Sequence, residues 1–177
     1  MEQLLTQFIN FLQKQNETFL YFFLFLSAVV ENLFPPIPGD TITAFGAFLV
    51  GIKKLSYPLV YAVTTIGSVF GFMALFFIGR IFDREFITKR NISFFNEEMI
   101  IKAEKWFGKY GYFIVFANRF MPGIRSVISI VSGILKLRIW LVFLLSLISA
   151  SIWNLIWIHA GYTLGDNWNV VKQKITL

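Results

Sequence analysis

Two proline-glycine breaks interrupt the apolar stretches of this chain, and they constrain its fold more than any other feature. The first is ENLFPPIPGD, residues 31–40. Residues 19–30, FLYFFLFLSAVV, precede it and residues 41–52, TITAFGAFLVGI, follow it, neither carrying a charge. Pro35, Pro36 and Pro38 remove backbone donors and Gly39 adds freedom, so no helix continues through. The second break is Met121-Pro122-Gly123, between residues 112–121 and 124–135, which are apolar apart from Asn118, Arg119 and Arg125 and a few serines.

Length decides what the breaks mean. A helix rises about 1.5 Å per residue and must cover about 30 Å of hydrocarbon to cross a bilayer. Residues 58–79, PLVYAVTTIGSVFGFMALFFIG, run uncharged for long enough, and residues 139–162 make a second spanning helix. Residues 41–52 are too short. The chain is 56% hydrophobic and only 15% charged, where a soluble domain carries roughly a quarter of its residues as charge. An integral membrane protein is therefore expected.

The expected fold is all-α, a single membrane domain over residues 1–177. Residues 18–52 and 110–135 form re-entrant hairpins that enter the membrane, turn near its middle and leave on the side they came from. Spans at 58–79 and 138–165 follow them, with a polar loop or helix over 80–109 between the halves. The first span carries the chain across, so the second hairpin enters from the opposite face. That is an inverted repeat, a common ground plan of secondary transporters. Backbone broken at such depth is tolerated only inside protein or against a wet cavity. Residues 1–16, with Leu4, Leu5, Phe8, Ile9, Phe11 and Leu12 near a helical period, read as an amphipathic interfacial helix, or equally as one packed on the rest of the chain. The chain opens with Glu2 and no basic cluster, so a cleaved signal is not expected. Gly67 and Gly71 have the spacing of close helix contacts, within the protein or in a homodimer.

Composition removes several classes. There is no cysteine and one histidine, which argues against thiolate or histidine metal centres; neither metal nor cofactor is expected. The net charge of +6 is scattered between apolar segments, which suits anionic headgroups and not nucleic acid. Lys14, Lys53, Lys54, Lys172 and Lys174 fall on one side, and the larger set from Arg80 to Arg138 on the other, which the positive-inside rule makes cytoplasmic.

The chemistry concentrates at the breaks. Glu31 and Asp40 flank the first, Arg119 and Arg125 the second. An ionised side chain at the bilayer centre costs about 3 kcal/mol even on lenient scales, and it normally faces a partner or a cavity. Buried salt bridges tying the hairpins together are the plain structural explanation, although such pairs stabilise little. The functional alternative is an anion site. Guanidiniums grip phosphate oxygens in pairs, and the helix starts after Gly39 and Gly123 present N–H groups. Carboxylates at low dielectric can take up and release protons. Asn118 is a further headgroup candidate. Asn154 and His159 face either the bundle or a cavity, with His159 a candidate for proton work, while Trp140, Trp153, Trp157 and Trp168 read as anchors or packing.

These stretches resemble a known family. Glu31 to Asp40 is similar to the Glu-x-x-x-Pro-x-x-Pro-Gly-acid motif of the DedA family, also called the SNARE-associated or VTT-domain family. FANRFMPGIRSVISIVSGILKL resembles its second signature, Phe-x-x-Arg-(Phe/Trp)-x-Pro-x-x-Arg with a later glycine. The resemblance covers roughly residues 15–165; Asp40 stands where the family often has Glu. It implies lipid translocation in the bacterial cytoplasmic membrane: a flippase for undecaprenyl phosphate, or a flippase or scramblase for phosphatidylethanolamine. It places functional acids at Glu31 and Asp40 and functional arginines at Arg119 and Arg125. A proton/cation antiporter, an intramembrane lipid phosphatase and a scaffold are the other classes to separate, and the reading favours a transporter over an enzyme.

Overall fold

The computed structural model describes residues 15–34, 39–82, 97–121 and 124–166. All regular structure among them is helical: α1 (Glu17–Leu33), α2 (Gly39–Gly51), α3 (Tyr57–Ile81), α4 (Glu97–Tyr110), α5 (Phe113–Ala117) running into a 3-10 turn (Asn118–Phe120), α6 (Arg125–Ile134) and α7 (Ile139–Asp166). Pro35, Pro36, Pro38, Pro122 and Gly123, nearly all of the expected N-terminal helix, and residues 83–96 lie outside the described residues.

Local chemistry accounts for the helix limits. Asn16 caps α1 by accepting a hydrogen bond from the Thr18 N–H at 2.9 Å, with Glu17 favourably placed in the first turn. The helix ends at Phe34, which is extended, ahead of two prolines. Pro58 sits in the first turn of α3, where its missing donor is harmless. At the far ends of α2 and α6 the same closure occurs. Lys53 (φ 62°) and Lys136 (φ 52°) adopt the left-handed conformation. Lys53 and Lys54 donate to Val50 and Leu49, while Lys136 and Leu137 donate to Gly133 and Ser132. Both are Schellman motifs with lysine in the position glycine usually takes.

Among the described residues two helices are long and apolar enough to cross a membrane, α3 with 25 residues and α7 with 28. Their outer faces carry exposed Ile66, Phe70, Phe77, Leu155, Ile156 and Leu164, a surface suited to lipid. Around them α1 lies along α3 and α5 along α7, whereas α2 packs on α7 and α6 on α3. Glycines bring the backbones together. A Cβ on Gly67 or Gly71 of α3 would come within 2.6 Å of the Phe25 or Val29 carbonyl oxygen of α1. The GxxxG spacing is thus filled inside the protein. Gly133 of α6 lies against the Phe76 carbonyl, and Gly161 and Gly165 of α7 against Ala44 and Phe48 of α2.

The apolar core is divided in two. One cluster joins Phe72, Leu75 and Phe76 of α3 to Ile100, Ala103 and Phe107 of α4, Val127, Ile128 and Val131 of α6, and Val142 of α7. The other joins Leu20 and Leu24 of α1 to Ala47, Leu49 and Val50 of α2, Val60 of α3 and Ile158 of α7. Between Val60 and Phe72, α3 buries Thr64, Thr65 and Ser68; between Val142 and Ile158, α7 buries Ser146, Ser149 and Asn154. A polar band therefore crosses the middle of both long helices, where Asn154 Nδ2 donates to Thr65 Oγ1 at 3.2 Å.

Gly133→Ala should lower the thermal midpoint of the detergent-solubilised protein, since its methyl group would meet backbone on α3, at a cost of about 1–3 kcal/mol. Gly108→Ala, in helix α4 with open space around it, should leave the midpoint unchanged or raise it by up to about 1 kcal/mol of stability. Thermal unfolding followed by circular dichroism distinguishes the two.

Candidate functional site

The polar band meets the ends of the short helices. Glu31 lies in the last turn of α1, Asp40 in the first turn of α2, Arg119 in the 3-10 turn and Arg125 at the start of α6. Arg125 stands where helical N–H groups already concentrate positive charge, an unfavourable place for a cation. Its neighbouring cap position, Ile124, supplies no side-chain hydrogen bond. Two carboxylates compensate: Nη1 donates to Glu31 Oε1 at 2.6 Å and Nη2 to Asp40 Oδ2 at 3.3 Å. One guanidinium thus ties α6 to both α1 and α2, across 94 and 85 residues of chain.

Burial differs within this cluster, and the difference matters. Glu31 is 7% exposed and Arg125 8%, while the Asp40 side chain is 24% exposed. Gly39 is required beside Glu31, because a Cβ there would collide with the Glu31 side chain. Asp40 has a second donor, Trp153 Nε1, at 2.8 Å from Oδ1. Ser126 donates from α6 to the Asn32 carbonyl, and Ser129 to that of Phe72, so α6 is held to α1 and α3 through hydroxyl–backbone bonds.

Arg119 is different. It is 3% exposed, feels the charges of Arg125, Glu31 and Asp40, and leaves Nη1 without a hydrogen-bond partner. Beside it Asn118 donates to the Val115 carbonyl and leaves Oδ1 unpartnered. A buried guanidinium with an idle donor is costly. Four groups predicted from sequence, Glu31, Asp40, Arg119 and Arg125, come together with Gly39 and Asn118; Gly123 is outside the described residues.

Two readings change. His159, weighed for proton work, points outward and is exposed, because the buried stripe of α7 runs through Asn154, Ile158 and Gly161. Trp153, read as an anchor or packing, is a hydrogen-bond donor in the site. Its place near the midpoint of a 28-residue helix was the available signal, since anchoring tryptophans gather at span ends. The serines at 126, 129 and 132 were legible as a stripe three residues apart.

The pairing yields opposite expectations for the two arginines. Arg125→Gln leaves the buried Glu31 without its partner and Asp40 with only Trp153, and should destabilise the protein by about 3–5 kcal/mol. Arg119→Gln removes a cation with an unsatisfied donor and should leave thermal unfolding unchanged or shift it upward. Melting curves of the purified variants in one detergent provide the check.

Comparison with known proteins places the chain in a family. A family model described as the VTT domain matches residues 37–163, from just before α2 to near the end of α7. An alkaline phosphatase-like protein of Lactococcus lactis is 36% identical, over 97% of this chain and 79% of its own length. Undecaprenyl phosphate transporter A of Staphylococcus aureus is 30% identical over 99% of this chain and 85% of its own. The protein of that name from Bacillus subtilis is 28% identical, over 77% and 70%. No solved structure matches the chain. With a family match over most of its length and long apolar helices to cross a bilayer, this chain is a membrane protein of the VTT-domain, or DedA, family.

Proposed function

We propose that this protein carries a lipid phosphate across the bacterial cytoplasmic membrane, coupled to protons, with undecaprenyl phosphate as the leading cargo. The observation that carries the reading is Arg119: a buried guanidinium with a free donor, beside a second guanidinium already held by two acids. The phosphate meets Arg119 first, with Asn118 and the N–H groups opening α6 nearby, while the prenyl tail stays in lipid. Two relatives named undecaprenyl phosphate transporter A support the choice of cargo.

Charge balance gives the coupling. Glu31, Asp40, Arg119 and Arg125 sum to zero, so an arriving phosphate adds uncompensated negative charge in a poorly solvated place. A proton on Glu31 or Asp40 cancels it and frees Arg125 to turn toward the phosphate. In this reading the short helices α1–α2 and α5–α6 are re-entrant hairpins of an inverted repeat. The exchanged pairing of α2 with α7 and α6 with α3, and the matching lysine closures after α2 and α6, support it. The two halves then rock about the site, the usual motion of such repeats. A homodimer would use another face, since α1 occupies the Gly67–Gly71 groove.

A phosphatase is the competing reading, favoured by the name of the Lactococcus relative. Among the described residues no three His, Cys, Asp or Glu side chains gather as metal ligands, and His159 is exposed, so among them no metal or histidine centre of the kind phosphoryl transfer uses is assembled.

Purified protein in liposomes containing undecaprenyl phosphate should equilibrate the phosphate between leaflets, measured by its accessibility to an impermeant phosphatase. Arg119→Gln should abolish the exchange in a folded protein, and Glu31→Gln should flatten its dependence on pH. Exchange at the native rate in Arg119→Gln rejects the site. Exchange of phosphatidylethanolamine alone reassigns the cargo, and free phosphate released by the protein itself supports the phosphatase.

A further inference from the structure

We propose that Trp153 is a positioning residue of this site: its indole holds Asp40 on α7 and links the state of that acid to the turn that carries Arg119. The two oxygens of Asp40 are held from different elements, Oδ1 by Trp153 Nε1 of α7 at 2.8 Å and Oδ2 by Arg125 Nη2 of α6 at 3.3 Å. Both donors offer only hydrogens. A proton arriving on Oδ2 therefore displaces Arg125, whereas Oδ1, now a carbonyl oxygen, still accepts from Trp153. Asp40 stays on α7 and lets go of α6. Glu31 is not built this way: its bond to Arg125 is shorter, at 2.6 Å, its side chain is less exposed than that of Asp40, and its carboxylate is wedged against Gly39. Of the two acids, Asp40 is thus the one whose neutral form would free α6 while its own anchor on α7 remains.

The ring of Trp153 supplies the second link. It stands edge-to-face with Phe120, centroids 5.2 Å apart at 86°, and against Trp157 at 6.1 Å. Phe120 follows Arg119 in the same three-residue turn. An anion that draws Arg119 toward it moves Phe120 against the indole, and so alters the bond to Asp40. Among the described residues the other charged groups facing Asp40 are Glu31 of α1, Arg125 of α6 and Arg119. Arg80 of α3 is engaged at the Leu137 carbonyl. Asp166 lies by Gly51 at the other end of α2, as do Lys53 and Lys54, and His159 faces outward.

One arm of the test needs no lipid substrate. In nanodiscs of uncharged lipid, tryptophan emission of the wild-type protein should show a step as pH is varied. The step should vanish in Trp153→Phe, which keeps the ring contact with Phe120, and also in Asp40→Asn, which keeps the indole; it should persist in Trp106→Phe and Trp140→Phe. A step that survives in either Trp153→Phe or Asp40→Asn, or none in the wild type, overturns the proposal. The second arm rests on the carrier reading. In liposomes with undecaprenyl phosphate, Trp153→Phe should slow exchange about tenfold, the scale of a lost hydrogen bond to a charged group, and shift its pH profile. It should add nothing to Asp40→Asn. Additive losses with an unshifted profile make Trp153 a packing residue only. A wild type that moves no lipid phosphate but shows the emission step rejects the carrier and leaves the Trp153–Asp40 link standing.

Discussion

A guanidinium at the amino end of a helix, in the middle of an apolar protein, has to be neutralised, and the arrangement of the short helices follows from how that is done. Arg125 opens α6 against the sense of its helix dipole. Glu31 closes α1 and Asp40 opens α2, and both reach the same side chain. The acids and the cation come from distant parts of the chain, so the bond can form only when α6 enters the groove beside α1 and α3. Packing of α6 and assembly of the site rest on the same contacts.

The rest of the packing lets this happen at mid-length. Apolar clusters occupy either side of the polar band, and the glycines of α3, α6 and α7 allow backbone approaches too close for any larger residue. Hydroxyls of Ser126 and Ser129 hold α6 to neighbouring carbonyls. Such bonds satisfy polar groups without adding charge, which suits a layer with little water. The charged cluster is thereby held firmly except at Asp40, the most exposed of its members and the one with the longest ion pair.

That asymmetry separates the roles of residues of the same type. Both arginines keep one nitrogen unused, but Arg125 is tied to two acids, whereas Arg119 makes no ion pair among the described residues. Glu31 is wedged against Gly39, whereas Asp40 is shared between two donors on different helices. On the proposed function, the held members keep the site together while Arg119 and Asp40 exchange partners with phosphate and proton.

Much of this was legible in the order of residues. Proline chemistry alone forces breaks at 35–38 and 122, because a residue without an N–H cannot sustain a helix. Run length alone separates the spans at 58–79 and 139–162 from segments too short to cross. The cost of charge in an apolar segment singled out Glu31, Asp40, Arg119 and Arg125. What no reading along the chain supplies is which of these touch. Pairing depends on how helices lie across one another, and that is decided by contacts between residues far apart in sequence, such as Gly133 with Phe76 or Gly161 with Ala44. Only the packed structure turns His159 outward, brings Trp153 to Asp40, and gives both acids to one of two similar arginines, because facing and distance are properties of the assembled bundle and not of the sequence.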